Sequence, residues 1–198
     1  MRPSSSNDTR ISPKYRVSHW VNARDSLNWQ TMIAIFENRM NGRFLKPIDL
    51  IASNKEIGEF SGFAILALDC LLIETLHQFY AGTDETVGKH AEAFWNFFRS
   101  SKHFKNAFSK EKAKIFYSHF RCSLLHQAQT KKGSLVRIDQ QSMIALISNK
   151  VEDGLIVDRK KFHSAIKNEI TSYKQLLLDG DKSLRGNFIK KMDFICNC

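Results

Sequence analysis

Apolar residues recur at intervals of three and four along most of this chain, and that spacing predicts helices. Trp29, Ile33, Phe36 and Met40 mark a helix over residues 24–41, with Asp25 or Ser26 to cap its start and Gly42 to end it. Pro47 fits the first turn of a short second helix that reaches residue 53, and Gly58 and Gly62 mark a break. Residues 62–80 are the most apolar stretch. Their length would span a bilayer, but Asp69, Glu74 and His77 lie inside, and charges within a membrane are rare and costly. A central bundle helix is the reading, and its carboxylates then need partners. Asp84 opens a further helix to residue 100, with Ala91, Phe94, Trp95 and Phe98 as its stripe. Residues 103–108 form a helical turn. Asp158 caps a long helix striped by Phe162, Ala165, Ile166, Ile170, Tyr173 and Leu177, which Gly180 ends. Leu184, Phe188 and Met192 indicate a last helix.

The pattern changes in one place. Residues 134–139 alternate and are rich in branched side chains, and two apolar triplets, 145–147 and 155–157, flank the turn signal Asp153-Gly154. The expected fold is therefore mostly α, a helical bundle with a small β-hairpin at about 134–157 and C-terminal helices over about 158–195. Residues 1–20 contain no apolar run of the secretory kind and read as a disordered or extended tail. Residues 21–198 read as one domain, because no linker divides them.

The stretch from Ser109 to Lys132 carries the candidate chemistry. Ser109 is a plausible N-cap. On a helical projection, Ala113, Phe116, Tyr117, Phe120, Leu124 and Ala128 form the core face. Ser118, Cys122, Leu125 and Gln129 form an opposite face that is nearly uncharged, with Arg121 and His126 on its flanks. A second uncharged face on one helix suits burial against a partner. His119 shares the helix but points to a different flank.

Charge sharpens this picture. The chain has 30 Lys and Arg against 20 Asp and Glu. Residues 99–132 hold 9 basic residues and 1 acidic residue, so most of the net charge of +10 gathers around this helix. Such a concentration is the footprint of a polyanion site. Lys102, Lys105, Lys110, Lys112, Lys114, Lys131 and Lys132 are the candidate RNA-binding residues. His90 and His103 have no metal-ligand spacing and read as surface residues of the same basic region. Cys70, Cys122, Cys196 and Cys198 do not form a zinc pattern, and reduced thiols in a cytoplasmic protein are expected. The expectations are no metal site, no cofactor and no membrane association.

Arg121-Cys-Ser-Leu-Leu-His126 is an R-x4-H motif, and it resembles the signature of the HEPN superfamily of helical domains. The Arg-Phe-Leu-x-Pro-Ile segment from Arg43, the Cys-Leu-Leu-Ile-Glu-Thr helix from Cys70 and the Leu-Ile-Val-Asp segment from Leu155 are similar to a bacterial HEPN subfamily, over roughly residues 25–178. The resemblance implies a homodimer in which two copies of the motif helix meet. It implies a metal-independent RNA endonuclease leaving 2′,3′-cyclic phosphate ends, of the kind that serves as a toxin or defence effector, with an antitoxin or regulatory protein as a further partner. Arg121 and His126 are then catalytic, with Glu74, Ser118, Cys122 and His119 as supporting candidates. Active members often carry Asn, Asp or His after the Arg, where this chain has Cys122. The alternative is a non-catalytic HEPN dimer that binds RNA or a protein partner.

Overall fold

A computed structural model describes residues 8–131, 133–148 and 153–198. The protein is mostly helical with one small sheet. The helices are α1 (Val17–Asp25), α2 (Trp29–Met40), α3 (Lys46–Ser53), α4 (Gly62–Ala81), α5 (His90–Ser100), α6 (Lys110–Phe116), α7 (Ser123–Gln127), α8 (Arg159–Asp179) and α9 (Lys182–Cys196). The strands are β1 (Leu135–Arg137), β2 (Ile144–Ile147) and β3 (Gly154–Asp158). Two π-helical turns complete the set. One, Asn41–Leu45, joins α2 to α3, and the other, Tyr117–Cys122, joins α6 to α7.

The chain divides into two compact units. The first comprises Met1–Pro47, Gln78–Glu85 and Ser172–Cys198, and the second Ile48–His77 and Thr86–Thr171. Three of the four changes of unit fall inside α3, α4 and α8. A boundary inside a continuous helix interrupts no element, so a search for a linker passes over it.

In the first unit, Trp20, Phe36, Phe79, Tyr173 and Phe188 are fully buried. Phe36 meets Phe79 edge to face with ring centroids 5.1 Å apart, and Trp20 meets Phe188 at 5.6 Å. The expected tail does not hold for its described part. Ile11 and Ser12 are buried, Ser12 Oγ donates to Asn38 Oδ1 at 2.8 Å, and α1 begins at Val17. The helix expected over 24–41 is two helices, because Leu27 takes a left-handed backbone conformation (φ 52°) between them. Asn28, rather than Asp25 or Ser26, caps α2 by accepting from the Thr31 N–H at 3.0 Å. Gly42 does not end that helix. A Cβ there would lie 2.2 Å from Pro13 Cγ, so the glycine serves close packing against the N-terminal segment.

The second unit has its own aromatic core. Phe98 stacks on Phe108 at 3.8 Å, Phe116 stacks on Phe162 at 5.1 Å, and Phe94, Phe104 and Phe120 are also fully buried. The helix expected from Asp84 starts at His90, because Gly88 (φ 69°) keeps the preceding segment in a loop. Its buried residues are Ala93, Phe94, Phe97 and Phe98, while Ala91 is exposed and Trp95 half-buried.

The three strands lie in the order β1-β3-β2. β2 and β3 pair antiparallel, as a hairpin does, and β1 adds to the far side of β3 in parallel register. Most of the connection from β2 to β3, ahead of Asp153, lies outside the described residues. Gly154 opens β3, where a Cβ would collide with the Gly133 carbonyl.

Helix α4 is long and apolar enough to cross a membrane by length and composition. Its two acidic side chains are nevertheless paired within the second unit, Asp69 with His163 and Glu74 with Arg121 and His90. That pairing is what a helix of a protein core requires.

Candidate active site

The motif helix starts where Ser109 Oγ accepts from the Lys112 N–H at 3.2 Å. It runs as α6, continues through the π-helical turn Tyr117–Cys122, and ends after α7. Its termination differs from the projection. Ala128 adopts the left-handed conformation (φ 54°) and is exposed, so it caps the helix and takes no part in the core stripe. Ala113, Phe116, Phe120 and Leu124 are buried, and Tyr117 is half-buried.

The π turn holds its backbone by i→i+5 hydrogen bonds and accommodates an extra residue, which shifts the phase of the side chains that follow. Two consequences concern the site. His119 is turned into the core: it is buried, and its Nδ1 lies 2.9 Å from Ser134 Oγ, which also accepts from the Leu155 N–H. This histidine ties the helix to the start of the sheet and does not face solvent. Arg121 is brought against α4.

Arg121 Nη2 donates to Glu74 Oε2 at 3.1 Å, and its guanidinium carbon lies 5.7 Å from the centre of the Tyr117 ring. The second Glu74 oxygen, Oε1, is 2.7 Å from His90 Nδ1. The side chains of Glu74 and Arg121 are 17% and 18% exposed, and that of His90 is 34% exposed. Burial works against the Arg121 charge, but the hydrogen bond and charge of Glu74 outweigh it and hold the guanidinium pKa above its ordinary value. Burial and a hydrogen bond with Cys122 raise the Tyr117 phenol. Burial likewise pushes the nearby Cys70 thiol well up. The result is a partly exposed group of one carboxylate, one guanidinium and one imidazole.

His126 occupies the last turn of α7. It is exposed and has no hydrogen-bond or ionic partner among the described residues. Beside it on the helix, Leu125 is 52% exposed, and Ser118 and Cys122 are half-buried. Of the uncharged face expected of this helix, Leu125 is the exposed member on the helix, while Gln129 lies past the helix end at Ala128. Lys102, Lys105, Lys110, Lys114 and Lys131 are exposed. Lys112 is half-buried, with its ammonium 3.5 Å from the Ala107 carbonyl. Lys132 lies outside the described residues.

The structure thus joins Glu74 to Arg121, as the need of a core carboxylate for a partner suggested, and adds His90 and Tyr117. His90 is more than the surface residue expected from the sequence, because its ring meets Glu74. Sixteen positions separate it from Glu74 and no spacing rule links them, so only the fold brings them together. Among the described residues, no three His, Cys, Asp or Glu side chains are placed to hold a metal ion. No family model, no curated protein and no solved structure matches the chain, so the HEPN resemblance rests on its own residues.

Proposed function

We propose that the protein is a metal-independent RNA endonuclease of HEPN type, acting as a homodimer. The observation that carries this reading is the different treatment of Arg121 and His126 on one helix. Arg121 is fixed by Glu74 and Tyr117 at the edge of the core, while His126 stands exposed with no partner among the described residues.

A guanidinium has five N–H donors, and the carboxylate engages it through Nη2. The remaining donors suit the two non-bridging oxygens of a phosphodiester, where negative charge grows in the transition state. An imidazole is the side chain suited to acid–base catalysis at neutral pH, and His126 presents one to solvent. In the proposed step, His126 takes the proton of a ribose 2′-OH. The freed oxygen attacks the adjacent phosphorus, and the P–O5′ bond breaks. The departing 5′ oxygen takes a proton from His126 of the second copy. The products are a 2′,3′-cyclic phosphate and a 5′-hydroxyl. The Leu125 face supplies the apolar surface for the two-fold pairing, since such an interface presents the same patch twice.

The test uses the purified protein and single-stranded RNA in EDTA. His126→Ala should lose about 10²–10⁴-fold in cleavage rate. Arg121→Lys should also fail, because a point charge does not replace a planar fork. DNA should survive, lacking the 2′-OH. Cleavage by His126→Ala at the wild-type rate refutes the mechanism. One observation favours the non-catalytic alternative: Arg121 already has a carboxylate partner. On that reading, RNA binds and no RNA pool is cut.

A further inference from the structure

The second unit carries an open trough that shares no residue with the Glu74–Arg121 cluster. Its volume is about 490 Å³. One wall is the exposed stripe of α8, where Lys160, Ser164 and Asn168 recur every four residues, opposite the buried stripe of Phe162, Ile166 and Ile170. His103 forms another wall, and Met143 and Ala165 add apolar surface.

The charge of the trough is one-sided. No carboxylate lines it among the described residues. Lys161 donates to the carbonyls of Gln140 and Gln141, which places its ammonium without neutralising it. Among the described residues Lys160 pairs with Asp139, at 3.2 Å, and both side chains are well exposed. Exposed pairs of this kind contribute little, so the lysine is readily given up to a phosphate. Ser164 and Asn168 are exposed, and neither has a hydrogen-bond partner among the described residues. His103 lies in the turn that also bears the exposed Lys102 and Lys105, so the trough adjoins the most basic stretch of the sequence.

We infer that this trough is a binding channel for single-stranded RNA. Lys160 and Lys161 neutralise backbone phosphates, Ser164 and Asn168 hydrogen-bond the strand, and Met143 supports an unstacked base. An open groove with cations on its rim and apolar surface within it fits a polymer that passes through, which is how strands are held without sequence readout. The inference deepens the proposed function by placing part of the strand away from the reacting phosphate.

The test separates binding from chemistry by using a fluorescent single-stranded RNA bearing 2′-O-methyl groups, which cannot attack its own phosphates. Binding by the full-length protein is followed by anisotropy across a salt series. Lys160→Ala/Asn168→Ala should weaken binding about tenfold. It should also lower the slope of log affinity against log salt by about 0.7, the value for one lost phosphate contact on a single strand. Circular dichroism of the variant controls for folding. As a second readout on the wild type, RNA carrying 4-thiouracil is photo-crosslinked and the adducts are mapped. Adducts on residues 160–168 or on His103 support the channel. Wild-type affinity and slope in the variant, or adducts confined to other segments, overturn it. If His126→Ala still cleaves RNA while the trough variant loses affinity, the catalytic reading fails and the channel stands.

Discussion

Helix α4 carries two carboxylates five residues apart, and the second unit uses them in opposite ways. Asp69 is completely buried, with Oδ1 2.7 Å from His163 Nδ1. Its other oxygen is buried without a hydrogen-bond partner among the described residues. On the far side of the imidazole, His163 Nε2 is 3.5 Å from Asp49 Oδ1, and Asp49 is held by Lys167 at 2.9 Å. Glu74 has both oxygens engaged, by His90 and Arg121, yet remains partly exposed. The same chemical group on one helix therefore yields a sealed pair that no substrate can reach and an open cluster that can meet solvent. The difference teaches that an ionic contact points to chemistry only when its charge can still be shared with something outside the fold. By that criterion Asp69–His163 holds the structure, and Glu74–Arg121 is the place to look for function.

The largest expected effect comes from breaking the sealed pair. Asp69→Ala leaves His163 buried beside a cavity and should cost about 3–5 kcal/mol, read as a lower midpoint in urea. A loss below 1 kcal/mol would show that the pair is not structural. Asp69 also sets a pH signature. Burial, opposed by His163, raises its carboxyl pKa above the ordinary 3.8. The fold then holds more protons than the unfolded chain in the window above 3.8, so stability falls as pH rises through that window. Asp69→Asn should remove this slope in urea titrations above pH 3.8.

The next effect concerns assembly. In the proposed dimer, Leu125→Arg puts a charge on the motif helix beside the two-fold, and does so twice. Light scattering should report a change from two chains to one at micromolar concentration, with the urea midpoint preserved because Leu125 is exposed. A wild type that is already monomeric would remove the dimer from the account.

The smallest effect lies beside the open cluster. Burial pushes the His77 imidazole below its ordinary 6.5. The folded state resists a proton that the unfolded chain accepts, so stability is lost as pH falls below about 6.5. His77→Gln should flatten the urea midpoint between pH 7 and 5. An unchanged slope would mean that the side chain is less enclosed than the fold indicates.

Much of this arrangement is legible in the sequence where one periodicity governs a whole element. The stripe from Phe162 to Leu177 is buried throughout, as are Leu184, Phe188 and Met192. The need of Glu74 for a partner follows from the cost of a lone buried carboxylate. What escaped has identifiable causes. Leu27 breaks a continuous pattern through a backbone angle that its side chain does not announce. The π turn alters helical phase without any Gly or Pro, which hid the burial of His119. The parallel β1–β3 ladder depends on a non-local pairing, whereas the hairpin of β2 and β3 is local. His90 reaches Glu74 only because α5 packs there, and the trough along α8 joins segments more than fifty residues apart.

The comparison between the two carboxylates rests most directly on Glu74→Gln, with RNA cleavage in EDTA and the urea midpoint measured on one preparation. The amide keeps the size of the side chain but removes the charge that orients Arg121 and His90. The account predicts a midpoint close to wild type and a cleavage rate lower by up to about 10²-fold, the cost of misplacing a catalytic group by about 1 Å. A lowered midpoint with cleavage per folded molecule unchanged would contradict it, and would make Glu74 a structural carboxylate of the same kind as Asp69.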